Sequence, residues 1–149
     1  MTHARAKAHE VAARSGVPAG GAVLAADTEV VIDGRALGKA ATAAEARAML
    51  SALSGRNHQV MTGVVLITAA GTAEDLSVAE VCLRPIDDSL MDWYLARGEW
   101  QGRAGAYAIQ GAGAVLVAGI VGDPTTVIGL PMAATTALLT GAGLFPPPR

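Results

Sequence analysis

Hydrophobic and polar residues alternate along the 149-residue chain with periods that predict interleaved helices and strands. The first helix is predicted for Ala4 to Arg14, a stretch that is rich in alanine and free of helix breakers. The apolar run AVLAADTEVVID follows and contains the β-branched residues typical of a strand. Asp33-Gly34 is a common hairpin turn, so RALGKAA should return as a short strand or a loop.

The rest of the chain continues this alternation. Thr42, with Glu45 three residues later, forms a capping-box pattern that predicts a second helix ending near Leu53. The later elements are two antiparallel strands in HQVMTGVVLITAAG and TAEDLSVAEVCLRPI, a helix in DDSLMDWYLARG, a strand in AVLVAGIVGD, and a terminal helix in PTTVIGLPMAATTALLTGAG with a break at Pro131. This order predicts a single α/β domain over residues 1–149 with a mixed sheet, in which residues 144–149 form a tail.

Charge and composition exclude several classes of protein. The formal net charge is −2 and the basic residues are scattered, which excludes the strongly basic surface that nucleic acids require. No apolar run approaches the ~18–20 residues of a membrane span, and charges stand where a signal peptide would be apolar. Cys82 is the only cysteine, which excludes an internal disulfide, and its alternating context favours a buried strand residue. We therefore expect a cytoplasmic protein with no nucleic-acid or membrane partner.

Asp27 is the first candidate for chemistry. It follows the apolar residues AVLAA, and a carboxylate at the end of a buried strand is costly unless it is paired, hydrogen-bonded or metal-bound. It is either a turn cap, or a metal ligand or general base. Glu29 alternates onto the same strand face, so the two carboxylates could hold a cation together. His3, His9 and His58 share no ligand spacing and are expected to be surface or satisfied histidines.

Two glycine-containing segments are further candidates. The segment GRAGAYAIQG, residues 102–111, is too rich in glycine for a strand core, and its glycines let the backbone approach a ligand, with Gln110 near its end. Lys39 lies in GRALGKA and either reaches an anionic group or is a solvated turn residue. That segment is not a Walker phosphate loop, because only three residues separate its glycines and an alanine follows the lysine. Carboxylate, lysine and close backbone could hold a metal-bound phosphorylated ligand.

Several blocks of the chain resemble, in order, the signature blocks of the Maf family of nucleoside triphosphate pyrophosphatases. These blocks are AADTEVVIDGRALGKA, SGRNHQVMTGVVL, GEWQGRAGAYAIQG and GDPTTVIGLPM, and AKAHEVAAR resembles the helix that precedes them. The resemblance covers the chain from Ala4 to about Leu139. It implies an elongated α/β fold with a central mixed sheet and a cleft between two lobes. It also implies hydrolysis of a nucleoside triphosphate to the monophosphate and pyrophosphate with a divalent cation, Mg²⁺ or Mn²⁺, and a homodimer fits the family.

The resemblance implies a role for individual residues. Asp27 matches the family's catalytic aspartate, a base or water-positioning group. Lys39 matches a lysine that contacts phosphates, although an alanine follows it here in place of proline, and Arg103 stands where the family often has lysine. The implied substrate-binding residues are Lys7, Lys39, Thr62, Arg103 and Gln110, and the implied metal ligands are Asp27 and Gln110.

The AYAIQG block and the start of the chain refine this expectation. The Ile-Gln form of the block resembles the subgroup that acts on dTTP and UTP, and modified pyrimidine nucleotides stay open as substrates. The family's opening strand, its Ser-x-Arg-Arg motif and an acidic metal-site residue have no counterpart here. We therefore expect an N-terminally truncated domain with its first strand missing and an unpaired edge in its sheet. The alternative is a catalytically impaired nucleotide-binding or cell-division regulatory remnant, given the family's association with septum formation.

Overall fold

The computed structural model of the protein describes residues 1–145 as one sheet flanked by helices. The helices are α1 (Thr2–Ser15), α2 (Ala43–Leu53), α3 (Asp88–Leu95), a 3-10 helix (Gly111–Leu116), α4 (Pro124–Ile128) and α5 (Met132–Gly141). The strands are β1 (Ala22–Ile32), β2 (Arg35–Leu37), β3 (Asn57–Thr68), β4 (Gly71–Leu83) and β5 (Val117–Val121). The expected α/β class is confirmed, and most of the predicted tail lies outside the described residues. No helix among residues 1–145 is both long and apolar enough to cross a membrane.

The strands lie in the order β2-β1-β3-β4-β5, and every pairing among them is antiparallel. The sequence predicted a mixed sheet, and the strands described here do not contain the parallel pair that a mixed sheet needs. The reason lies in the connections, because short turns join β1 to β2 and β3 to β4, and such turns produce antiparallel neighbours. The turn at Asp33-Gly34 has positive φ at both residues, 51° and 73°, as the hairpin pattern predicted.

Strand β1 has one free edge. On one side it pairs with β3 from Ala22 to Val31, and on the other side β2 covers only Val30 to Ile32. Within residues 1–145, no strand pairs with residues 22–29 on that second side, so the unpaired edge expected from the sequence is present. Asp27 lies in the middle of β1 rather than at its end, which corrects the sequence interpretation. The strand continues because Thr28 and Glu29 also pair with β3.

Two clusters of buried residues hold the helices to the sheet. The larger includes Val30 and Ile32 of β1 and residues of β3, β4, α2, α3 and the 3-10 helix. The smaller is formed by Ala4 and Ala8 of α1 against Val23, Val65 and Ile67 of β1 and β3. Odd-numbered β1 residues contribute to the small cluster and even-numbered ones to the large cluster. Since successive side chains of a strand point to opposite faces, α1 covers one face of the sheet and the large core covers the other.

Local signals set most helix boundaries as expected. The Thr42 hydroxyl accepts a hydrogen bond from the Glu45 amide at 3.2 Å, and the Asp87 carboxylate caps α3 in the same way. Helices α4 and α5 are separated by Gly129, with φ of 115°, and by Pro131, where the break was predicted. The strand expected over residues 114–123 was partly wrong. It is shorter and follows a 3-10 helix, which begins directly after Gln110.

Candidate functional site

A cavity of about 240 Å³ lies where six segments of the chain meet. Its lining comes from α1, β1, the segment after β2, β3, the glycine-rich segment 102–110, and α4. The charged and amide side chains in this lining are Lys7, Asp27, Lys39, Arg103 and Gln110. Asp27 and Thr28 project from opposite faces of β1, and both line the cavity. Both faces contribute because β1 has no neighbouring strand on that side at these positions.

Asp27 and Lys7 form an ion pair on the α1 side of the cavity. The Lys7 ammonium donates a hydrogen bond to Oδ1 of Asp27, whose side chain is only 18% exposed. Helix α1 carries Lys7 to this position because Ala4 and Ala8, one turn apart, are fully buried against the sheet. Pairing with a cation offsets the cost of placing a largely buried carboxylate here.

Lys39 and Arg103 line the opposite wall of the cavity. Lys39 pairs with Ala104 in an isolated antiparallel bridge, and the Gly105 amide donates to the Gly38 carbonyl at 3.1 Å. Gly105 has a φ of 67°, and a Cβ there would lie 3.0–3.1 Å from the side chain of Val30. Glycine is therefore required at this position both by its backbone conformation and by its contact with the core.

A buried histidine-tyrosine pair fixes the middle of the glycine-rich segment. The Tyr107 hydroxyl and Nε2 of His58 share a hydrogen bond of 2.7 Å, and both side chains are buried. Burial lowers the pKa of His58 to about 4 and raises the pKa of Tyr107. His58 is thus a neutral, buried histidine. The expectation of a surface or satisfied histidine is met only in part, because Nδ1 has no hydrogen-bond partner within residues 1–145. Tyr107 lines the cavity, so this bond anchors the wall that also carries Arg103.

Gln110 lies at the rim of the same wall, at the N-cap of the 3-10 helix, and is exposed to solvent. The backbone after it is held by Glu99, whose carboxylate accepts hydrogen bonds from the amides of Ala112 and Gly113 at 3.0 and 3.1 Å. A Cβ on Gly111 would lie 2.7 Å from that carboxylate. Sequence reasoning missed Glu99, because nothing in its local spacing shows that it will meet residues 13 and 14 positions later.

Thr62 is the predicted site residue that does not line the cavity. It is fully buried, and its hydroxyl donates to the Thr126 carbonyl at 2.7 Å and shares a 2.8 Å hydrogen bond with Thr28. Thr28 itself lines the cavity. Thr62 therefore supports Thr28 from behind and links β1, β3 and α4. The other five predicted site residues all line the one cavity: Lys7, Asp27, Lys39, Arg103 and Gln110.

The neighbourhood of Asp27 contains donors suited to a divalent cation. One donor atom from each of His3, Asp27 and Glu29 lies within 4.8 Å of the other two. Asp27 and Glu29 share a strand face, as the alternation predicted. His3 was expected to be a surface residue, and it is 70% exposed, but it stands beside both carboxylates. Carboxylate oxygens and the amide oxygen of Gln110 are ligands that Mg²⁺ and Mn²⁺ accept, so the residues present fit such an ion.

Comparison with known proteins identifies several relatives. The chain is 50% identical over 143 residues to the dTTP/UTP pyrophosphatase of Myxococcus xanthus (strain DK1622), covering 95% of this chain and 70% of the relative. It is 52% identical over 119 residues to the nucleoside triphosphate pyrophosphatase of Xylella fastidiosa (strain 9a5c), covering 79% and 63%. It is 49% identical over 133 residues to the dTTP/UTP pyrophosphatase of Anaeromyxobacter dehalogenans (strain 2CP-C), covering 87% and 68%.

The chain thus spans between 63% and 70% of the length of these curated relatives. The model of one family, described as Maf-like protein, matches residues 1–142, which is nearly the whole chain. Both findings agree with the resemblance carried by the ordered sequence blocks. The chain belongs to the Maf-like protein family.

Proposed function

We propose that this chain hydrolyses nucleoside triphosphates, with dTTP and UTP as its substrates, to the monophosphate and pyrophosphate. The observation that carries the proposal is the convergence of Lys7, Lys39 and Arg103 with Asp27 on one cavity. These residues come from separate segments of a chain whose basic residues are otherwise scattered. The names of the Myxococcus and Anaeromyxobacter relatives support dTTP and UTP as the nucleotides.

The three cations suit a triphosphate. Both lysines of the chain, Lys7 and Lys39, line the cavity, and Arg103 adds a planar guanidinium that can bind two phosphate oxygens at once. Charge-assisted hydrogen bonds of this kind contribute about 1.5–3 kcal/mol each. Because the three groups approach from two opposing walls, they can neutralise charge along the phosphate chain and stabilise the negative charge that develops on the leaving pyrophosphate.

Asp27 is the group proposed to prepare the water. Its carboxylate accepts a proton from a water molecule while the water oxygen attacks the α-phosphorus. The bond between the α-phosphorus and the oxygen bridging to the β-phosphate breaks, and pyrophosphate leaves with that oxygen and its electron pair. Lys7 now occupies Oδ1 of Asp27, so a bound phosphate that attracts the ammonium would release this oxygen for the water.

A divalent cation, Mg²⁺ or Mn²⁺, would be held by the Asp27 carboxylate, with the Gln110 amide oxygen as a second donor. Such an ion neutralises phosphate charge and orients the phosphate chain when it is bound. Gln110 is exposed at the rim, so its amide is available to a metal, a water or a phosphate oxygen. The Tyr107–His58 bond keeps the neighbouring wall in one position while ligand binds.

The alternative is a nucleotide-binding protein without turnover, in a regulatory role. One contact favours it, because the ammonium of Lys7 already holds the oxygen of Asp27 that a catalytic base must offer. If Lys7 keeps this contact when nucleotide is bound, the cavity would bind a triphosphate and leave it intact. Binding and hydrolysis must therefore be measured separately.

The test is pyrophosphate release from dTTP, UTP, CTP, dATP and GTP with Mg²⁺ or Mn²⁺, together with nucleotide binding by calorimetry. The proposal expects release from dTTP and UTP above the other nucleotides, and lower activity in Lys39→Ala and Gln110→Ala. The matched control for Lys39 is Arg14→Ala, which removes an exposed cation on α1 outside the cavity lining. Binding of dTTP by a folded protein that releases no pyrophosphate with either metal would support the regulatory alternative and contradict the enzyme.

A further inference from the structure

The carboxylates of Asp27 and Glu29 both lie beside His3 of the neighbouring helix α1. Asp27 and Glu29 are two positions apart on β1 and project from the same face, which is covered by α1. On α1, His3 and Lys7 are four positions apart, so they lie on one side of the helix above these carboxylates. The two oxygens of Asp27 are thereby divided, with Oδ1 on Lys7 and Oδ2 towards His3.

The distances around His3 suit a shared metal ion better than direct hydrogen bonds. Nδ1 of His3 lies 3.4 Å from Oδ2 of Asp27 and 3.5 Å from Oε1 of Glu29. Both exceed the 2.7–3.2 Å range of ordinary N–H···O hydrogen bonds. Two ligands bound to one ion at about 2.1 Å stand about 3.0–3.4 Å apart in octahedral or tetrahedral geometry. The two distances from His3 are therefore close to the spacing of ligands around one cation, and all three donor atoms lie within 4.8 Å of one another.

We propose that His3, Asp27 and Glu29 form a metal site that prefers a transition-metal ion such as Mn²⁺ to Mg²⁺. Mg²⁺ favours an all-oxygen shell with several waters, whereas an imidazole nitrogen suits first-row transition metals. Two carboxylates supply the negative charge, and His3 supplies the selectivity. The proposal gives Glu29 and His3 roles that the family resemblance does not assign to them.

The site deepens the proposed function and rests on it for the placement of substrate. Asp27 belongs both to this donor set and to the lining of the cavity, so an ion bound here would lie at the edge of the proposed phosphate site. The three protein ligands leave coordination positions open for a phosphate oxygen, for water, or for the Gln110 amide oxygen of the proposed function, so a single ion serves both proposals. Lys7 does not have to leave Asp27 for this, because the donor facing His3 is the other carboxylate oxygen.

The test uses Mn²⁺ alone, without nucleotide, with binding followed by electron paramagnetic resonance at pH 8. The wild-type chain should bind one Mn²⁺, and Mg²⁺ should displace it only in large excess. His3→Gln should weaken Mn²⁺ binding at least about tenfold and leave Mg²⁺ binding nearly unchanged, since a lost direct ligand costs no less than a lost supporting partner. Glu29→Gln should weaken binding of both ions, because it removes charge that both need.

His9→Gln is the matched control, since His9 is an exposed histidine of the same helix outside the donor set. Circular dichroism of each variant verifies that α1 is folded. The site is overturned if no Mn²⁺ binds, if His3→Gln binds Mn²⁺ as tightly as His9→Gln, or if Mg²⁺ displaces Mn²⁺ at equal concentration.

Pyrophosphate release from dTTP with Mg²⁺ by His3→Gln separates the two proposals. If His3→Gln releases pyrophosphate, the proposed hydrolysis stands even when this variant no longer binds Mn²⁺. If the wild type binds Mn²⁺ but releases no pyrophosphate from dTTP, the proposed hydrolysis is contradicted and the metal site is not.

Discussion

The two walls of the cavity are built differently, although both present cations to the same space. The wall with Lys39 and Arg103 rests on the large cluster, which contains Tyr94, Trp100 and many aliphatic side chains. The wall with Lys7 is carried by α1, which contacts the sheet through a cluster of five buried residues, two of them alanines. More buried apolar area gives more stability, so the first wall should be rigid and the second easier to detach.

This difference shows how small residues serve two purposes in one site. In α1, Ala4 and Ala8 let the helix lie close to the sheet, which brings Lys7 onto Asp27, but alanine buries little area. In the glycine-rich wall, glycines permit a compact path whose stability comes from the side chains behind it. The cavity therefore joins a fixed wall to a weakly held helix, and each variant below tests one side of that contrast.

Gly113→Ala should have the largest effect, because it forces a methyl group into the fixed wall. A Cβ at Gly113 would lie 2.0 Å from the Ala108 carbonyl oxygen, so the backbone must move. Overpacking costs about 1–3 kcal/mol of the free energy of unfolding, and a clash this close with backbone places Gly113→Ala at the upper end of that range. Gly119→Ala is the control, since nothing lies within 4 Å of its Cβ. Equal urea midpoints for the two variants would show that this wall accommodates the methyl group without losing stability, which contradicts a rigid wall.

Acid should loosen the same wall through His58. Its folded pKa of about 4 lies below the ordinary value of 6.5, so between these pH values the unfolded chain binds more protons than the folded chain. Stability from this group is complete above pH 6.5 and falls by up to about 3 kcal/mol as the pH drops to 4. Urea unfolding at a series of pH values measures it. His9→Gln should keep this slope and His58→Gln should lose it, and a slope preserved in His58→Gln would exclude His58 as its source.

Tyr107→Phe should cost about 2 kcal/mol, because it leaves Nε2 of the buried His58 without a partner. Tyr94→Phe is a matched control, since the Tyr94 hydroxyl is also buried but makes no hydrogen bond within residues 1–145. Chemical unfolding of both variants gives the comparison. If removing the Tyr94 hydroxyl costs as much as removing the Tyr107 hydroxyl, the bond to His58 does not hold the wall.

Ala8→Gly probes the weakly held helix and should have the smallest packing effect. Glycine lowers helix stability by about 1 kcal/mol at any interior position, and loss of the buried methyl adds about 0.8 kcal/mol. Ala6→Gly lies on the exposed side of α1 and should show only the first cost. The difference between the two variants in unfolding free energy measures the contact of α1 with the sheet. No difference would mean that the alanines do not hold α1 to the sheet.

Local signals in the sequence predicted the helix starts, the first hairpin and the break at Pro131, because each depends on residues within a few positions of one another. The strand directions were harder to predict, since they depend on which strands become neighbours. Asp27 was predicted to lie at a strand end because the apolar run AVLAA stops there and three polar residues follow. In the structure, β3 continues to pair with Thr28 and Glu29 and extends the strand.

The candidate site residues were inferred from the ordered blocks rather than from periodicity. In the structure, Lys7, Lys39, Arg103 and Gln110 line one cavity with Asp27. The contacts behind the site were not predictable. His58 and Tyr107 are 49 positions apart, and Glu99 meets backbone amides that have no sequence signature. Thr62 matched its block, yet it is fully buried and hydrogen-bonded to Thr28 rather than exposed at the cavity surface.

The single-turnover rate of dTTP cleavage by Asp27→Asn tests the central claim most directly. With enzyme in excess over labelled dTTP, this rate reports the chemical step, and Asp75→Asn, an exposed carboxylate on β4 outside the cavity lining, is the matched control. A general base contributes about 10²–10⁴-fold to such a step. We expect Asp27→Asn to lose activity by this factor while Asp75→Asn cleaves dTTP like the wild type. Equal cleavage rates for both variants would contradict the assignment of Asp27 as the base.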